Sequence, residues 1–195
     1  MKLELFSCPF FIGNIDLKQI KLDAPKGKAF LSKTPSSFNE DIHFPQESVD
    51  YLYLVIGDLL KEKYEGFTIS LQGIWKNEYV DNDFQEPHIH AGHIFSFIIY
   101  EEVTDCHTIF FNPAKYLIPE TMHAEQIFIP QIRKGQIIIF PSYVEHMVNR
   151  NSDQVTISGN LNFKHEHIVK EPKQTPISEA PRVPTNFGGF KPHNT

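Results

Sequence analysis

Cysteine is scarce in this sequence: Cys8 and Cys106 are the only two in 195 residues. A pair so far apart builds no disulfide framework, and neither stands in the CxxC spacing of a zinc site, so both are expected to stay reduced. Positive charge is also in short supply. Eighteen Lys and Arg face 24 Asp and Glu, the net charge is −6, and the basic residues are scattered. That balance excludes a surface built to coat nucleic acid. Long apolar runs are missing too. No stretch approaches the ~18 residues of a membrane span, and Glu4 and Pro9 interrupt the signal-like opening MKLELFSCPFFIG. The expectation is a soluble, cytoplasmic chain with no membrane partner and one domain's worth of core.

What the sequence does have is aromatic and β-branched residues. Seventeen Phe and seven Tyr lift the aromatic fraction to 13%, which favours strands. One helix is expected, over residues 47 to 64. Ser48 is the plausible N-cap, and Val49, Leu52, Val55, Ile56, Leu59 and Leu60 form its apolar stripe. After Gly66 the period changes to two. Strands are expected at 67–75, 93–100, 107–111, 126–129, 136–140 and 155–163, with turns at Asn112-Pro113, Lys134-Gly135 and Pro141-Ser142. Short strands at this spacing after one helix predict a mainly β sandwich or jelly roll. From residue 164 onward, Pro172, Pro176, Pro181, Pro184, Pro192 and Gly188-Gly189 leave no periodicity. Residues 1–163 are therefore read as the domain, and 164–195 as an extended tail that wraps a surface or pairs two copies as a homodimer.

Ten histidines are spread over the chain, and their placement carries the chemistry. His88-Ile89-His90 leads into a strand. In extended backbone, residues i and i+2 point to the same side, roughly 6.5 Å apart, so two imidazoles can share one ion. A third candidate ends the segment from Gly135 to His146: a glycine turn, a buried strand, a Pro-Ser turn, then the histidine. It follows His90 by 56 positions, about the length the intervening strands need. A β-barrel that brings these three together makes a mononuclear metal site with open coordination positions. The last strand adds a polar row: Gln154, Thr156, Ser158 and Asn160 alternate with Val155, Ile157 and Leu161.

From Trp75 to Asn160 the sequence resembles the 2-oxoglutarate- and Fe(II)-dependent oxygenases, especially a group typical of phages and marine bacteria. The matching residues are Trp75 to Asn77, Pro87 to His90, Ser96, Tyr100, Asn112-Pro113, Gly135 to Pro141 with His146, and Thr156 to Ser158 with Asn160. The resemblance implies a double-stranded β-helix with one supporting N-terminal helix. It implies Fe(II) on His88, His90 and His146, and 2-oxoglutarate as small-molecule co-substrate. The reaction would couple oxidative decarboxylation of that acid to hydroxylation of a substrate C–H bond, in a host's cytoplasm if the chain is phage-encoded. Two positions depart from the family pattern. His90 stands where Asp or Glu would complete a two-histidine, one-carboxylate triad, and Asp83 and Glu86 are the nearby carboxylates. Gln154 stands where an arginine would grip the distal carboxylate of 2-oxoglutarate. Gln154, Thr156, Asn77 and Arg150 are the candidates for that end.

Two other readings remain open on the residues alone. One is a three-histidine cupin-type dioxygenase that does not use 2-oxoglutarate, although Phe95 occupies the place of the glutamate that cupins put after HxH. The other is a non-catalytic binding or structural barrel. The primary substrate is unspecified among an amino acid, a protein side chain and a nucleobase. Trp75 reads as core, and His93 as a residue of the site's mouth or of the surface.

Overall fold

The computed structural model describes residues 8–29, 32–114 and 126–164. In chain order the elements are β1 (Phe11–Asn14), a short 3-10 turn (Leu17–Gln19), β2 (Gly27–Lys28), β3 (Pro35–Ser36) and α1 (Gln46–Leu60). Then come β4 (Thr68–Glu78), β5 (Asp83–His88), β6 (Phe95–Glu102), β7 (Thr108–Phe111), β8 (Ile127–Phe128), β9 (Gln136–Pro141), β10 (His146–Asn151) and β11 (Val155–Lys164). Two antiparallel sheets result, ordered β1-β9-β6-β11-β4-β3-β2 and β5-β10-β7-β8. This is the mainly β, double-stranded β-helix class. The tail expected from residue 164 onward, and the pairing of copies ascribed to it, lie outside the described residues. No helix among the described residues is long and apolar enough to cross a membrane. Cys8 and Cys106 are both free thiols.

Alternation along the long strands decides where the core goes. On β6, β9 and β11, Phe97, Ile99, Ile137, Ile139, Ile157 and Leu161 face one way and pack on Leu52, Ile56 and Leu60 of α1. Their neighbours Ile98, Tyr100, Ile138 and Phe140 face the other way and meet Phe110 of β7 and Val144. One sheet therefore has two buried faces, and the second face closes against the smaller sheet. Gly159, in the centre of β11, has no room for a side chain: an added Cβ would lie 2.5 Å from the carbonyl oxygen of Gly73 and from the ring of Phe97. Gly135 opens β9 with a φ of +76°, a left-handed turn that glycine adopts without strain.

The helix differs from the sequence expectation at both ends. It starts at Gln46 with Pro45 at the N-cap and ends at Leu60. Ser48 is fully buried inside its first turn, where its hydroxyl donates to Gln19 O (2.7 Å) and accepts from Lys21 N (3.1 Å). The side chain that reads as a cap instead fastens the helix to the preceding loop, a tertiary bond with no local signature. β5 and β10, like the short β1, β2 and β3, lie outside the spans in which the sequence predicts strands.

Candidate metal centre

Strand register builds the site. β5 and β10 pair antiparallel with His88 opposite His146, so their side chains are cross-strand neighbours, with ring centroids 4.3 Å apart. His90 lies just past the end of β5, held by its backbone N–H to Ser142 O (3.0 Å). Its ring is 5.2 Å from that of His88 and 5.1 Å from that of His146. One nitrogen of each histidine lies within 4.8 Å of the others. All three residues inferred from spacing are thus brought together.

The hydrogen bonds of the rings say which nitrogen is free. His88 Nδ1 is 2.7 Å from Glu86 O, and His146 Nδ1 is 3.0 Å from Val144 O. A carbonyl only accepts, so both Nδ1 atoms carry the proton. His90 Nδ1 meets Asn160 Oδ1 at 2.6 Å and Ser96 Oγ at 2.9 Å. Ser96 donates in turn to Asn160 Oδ1 (2.9 Å) and sits 2.8 Å from Ser142 Oγ. With Nδ1 engaged outward on every ring, each Nε2 keeps its lone pair, the arrangement that orients imidazoles toward a metal.

Burial favours the same state. It pushes the imidazolium form of His146 well below the usual histidine range, with the neighbouring His88 and His90 adding to the effect. Burial likewise lowers His90 to about 4, against the opposing hydrogen bond to Asn160 Oδ1, and lowers His88 against its bond to Glu86 O. Three neutral imidazoles with convergent lone pairs fit a divalent transition metal. No carboxylate joins them among the described residues. Asp83 instead accepts from Val80 N (3.3 Å), and Glu86 contributes its carbonyl rather than its carboxylate to the histidines.

Two spaces adjoin the histidines. The inner one, about 20 Å³, is lined by Asn77, Tyr79, Gln85, Thr108, Gln154, Thr156 and Ser158, and has room for about one water. The outer one, about 310 Å³, opens between Phe38, Trp75, Asn77, Glu86, Ile89 and His93. Of the residues proposed for the co-substrate, Gln154, Thr156 and Asn77 line the inner space. Asn77 lines both and is 3% exposed, and its Oδ1 has no hydrogen-bond partner. Arg150 is not brought to the site. Its guanidinium lies 4.2 Å above the Phe84 ring and donates to Asn82 O, on the exposed side of β10.

Several neighbours escaped sequence reasoning. Asn160 and Ser96 were visible as polar residues on strands, but not as the partners of His90. Thr108, Tyr79 and Gln85 carried no signal beyond alternation. Trp75 is buried as a core residue would be (8% exposed), yet it also walls the outer space, 5.5 Å from His90 and edge-on to Phe38 at 5.0 Å.

A β-helix that gathers three histidines has the donor set of a mononuclear non-haem metal site. Comparison with known proteins narrows it. Residues 73–160 match the family model described as "Putative 2OG-Fe(II) oxygenase", a span that runs from β4 to β11 and contains all three histidines. The matched segment is similar to the 2OG-Fe(II) oxygenases, a family whose chemistry implies Fe(II), 2-oxoglutarate and a further substrate. No curated protein matches the sequence. Among solved structures, an oxidoreductase of the 2OG-Fe(II) oxygenase family from Burkholderia pseudomallei is 13% identical over 78% of this chain and 68% of that one, with a TM-score of 0.44. The non-haem α-ketoglutarate dependent epimerase SnoN from nogalamycin biosynthesis is 12% identical over 84% and 76%, with a TM-score of 0.48. A Pseudomonas putida prolyl-4-hydroxylase is 12% identical over 74% and 78%, with a TM-score of 0.46. Likeness at this level carries no information about substrate.

Proposed function

We propose that this protein is a 2-oxoglutarate-dependent oxygenase in which His88, His90 and His146 hold Fe(II) through Nε2. The observation that carries the metal site is the engagement of every Nδ1 by an acceptor, which leaves each Nε2 lone pair free, in three rings that bring one nitrogen each within 4.8 Å of the others. Fe(II) bound there together with 2-oxoglutarate and O₂ supplies the oxidant for a substrate C–H bond.

The chain's own residues do the positioning. Asn160 and Ser96 orient His90 from the large sheet, while the carbonyls of Glu86 and Val144 orient the other two rings. Trp75 and Phe38 give one wall of the outer space an apolar surface, and at about 310 Å³ that space is large enough for a substrate side chain or small molecule. Thr156 and Asn77 offer neutral hydrogen-bonding groups on the side of the site where the co-substrate's far end would lie, beside the already bonded Gln154.

Anaerobic addition of Fe(II) and then 2-oxoglutarate tests the assignment. The expected result is one iron per chain and a visible absorption band that appears only with the acid. Iron without any band would move the protein to the three-histidine dioxygenases that do without 2-oxoglutarate. No iron at all would leave a non-catalytic barrel.

A further inference from the structure

A 2-oxo acid that shares an ion with these histidines must point its tail toward the inner space, which holds about one water until side chains shift, or into the outer one, and among the described residues neither space is lined by a lysine or an arginine. In the inner space every non-histidine polar group is neutral. Burial raises the Tyr79 hydroxyl above its ordinary value, so it stays protonated, and it donates to Gln85 Oε1 (3.2 Å). In the outer space the single acidic or basic side chain among the described residues, apart from the histidines, is Glu86, which repels a carboxylate.

Among the described residues, Lys76 and Arg150 are committed elsewhere. Lys76 adjoins Asn77 in sequence, but alternation turns it to the opposite face of β4. There it pairs with Glu101 at 2.9 Å and Glu78 at 3.8 Å. Arg150 is stacked on Phe84 outside.

Gln154, the residue at the head of the polar row, is closed off by its own bonds. It is fully buried. Its Oε1 accepts from His107 N (3.1 Å), and its Nε2 donates to Thr108 Oγ1 (3.4 Å), which also accepts from Tyr100 OH (3.0 Å). A second carboxylate entering here would leave water for a site with no opposite charge and few free donors. An ionised group in that position is costly to bury.

We infer that the site recognises the 2-oxo acid head and not a second carboxylate, so that 2-oxo acids with uncharged tails bind about as well as 2-oxoglutarate, with Gln154 as the residue that sets this lack of preference. The inference rests on the oxygenase reading above.

The test compares 2-oxoglutarate with 2-oxovalerate, which has the same carbon chain but ends in a methyl group. Each acid is titrated anaerobically into the full-length Fe(II)-loaded protein, with calorimetry and the visible band as readouts. The expected dissociation constants lie within about tenfold of each other. A preference for 2-oxoglutarate of a hundredfold or more overturns the inference while leaving the oxygenase reading intact. Binding of metal but of neither acid overturns both.

Gln154→Arg supplies the missing charge, its fold checked by circular dichroism and melting temperature. It is expected to shift the preference toward 2-oxoglutarate by tenfold or more with little change for 2-oxovalerate. A folded variant with unchanged preference would remove Gln154 from its assigned role. Should the variant not fold, the comparison of the two acids on the unmodified protein still decides the selectivity.

Discussion

The two sheets use the same backbone hydrogen bonds but differ in what holds them. The seven-stranded sheet is buried on both faces along its central strands β6, β9 and β11. Its central strand β11 keeps register with β6 and with β4 over nearly its whole length, with one irregularity on each side. The four-stranded sheet is short and partly wet: both residues of β8 are exposed, and the β5–β10 ladder shifts register twice within six residues. Yet the small sheet carries His88 and His146, while the large one supplies the groups that fix His90. The site therefore lies on the seam, with ligands from the irregular sheet steadied by side chains of the regular one. Stability and chemistry are assigned to different sheets.

The strongest way to break that division is His146→Ala. It should abolish stoichiometric iron binding, measured by metal analysis, with a far-UV circular dichroism spectrum like that of the parent, because the large sheet keeps its core without the ion. If the variant unfolds, the small sheet is as structural as the large one.

Next in size is a pair of truncations, one in each sheet. Ile139→Ala removes a fully buried side chain between β9 and α1 and should cost about 2–5 kcal/mol in urea unfolding. Ile127→Ala on β8, where 46% of the residue is exposed, should cost less than about 1 kcal/mol. Equal losses would erase the contrast.

Asn160→Ala tests the seam itself. Removing the acceptor of the His90 Nδ1 proton should weaken iron binding by about 10- to 100-fold, read by competition with a chelator, without loss of the fold.

Acid should act on the metal-free protein in a defined window. Burial holds all three imidazoles below the ordinary histidine value of 6.5, with His90 at about 4. Below pH 6.5 the unfolded chain takes up protons that the folded chain refuses, so stability falls as the pH drops from 6.5 towards 4, and is fully present above that range. Unfolding curves at pH 7.5, 5.5 and 4.5 should show the decline, and His90→Phe should flatten it. The smallest effect belongs to Arg150→Ala, which removes a cation–π contact on an exposed face and should cost about 0.5–1 kcal/mol of stability.

The same contrast explains what could be read beforehand. β4 and β11 announce themselves through alternation, β6 and β9 through near-continuous apolar runs that suit two buried faces, and α1 through its stripe. β5 reads DFQEPH and β10 reads HMVNRN; neither has a periodic apolar face, and Pro87 argues against a strand. Pro87 is tolerated because β5 is an edge of its sheet. Ser48 misled for a related reason, since its hydroxyl answers to Gln19 and Lys21 rather than to its own helix.

From the sequence alone came the mainly β class, the single helix, the histidine trio and the inward polar row of β11, because spacing and period are properties of a chain before it folds. Tertiary structure decided which imidazole nitrogens are free, that Asn160 and Ser96 steady His90, that Arg150 points away, and that Gln154 is already bonded. Those depend on register between strands distant in sequence, where a shift of one residue turns every side chain to the other face.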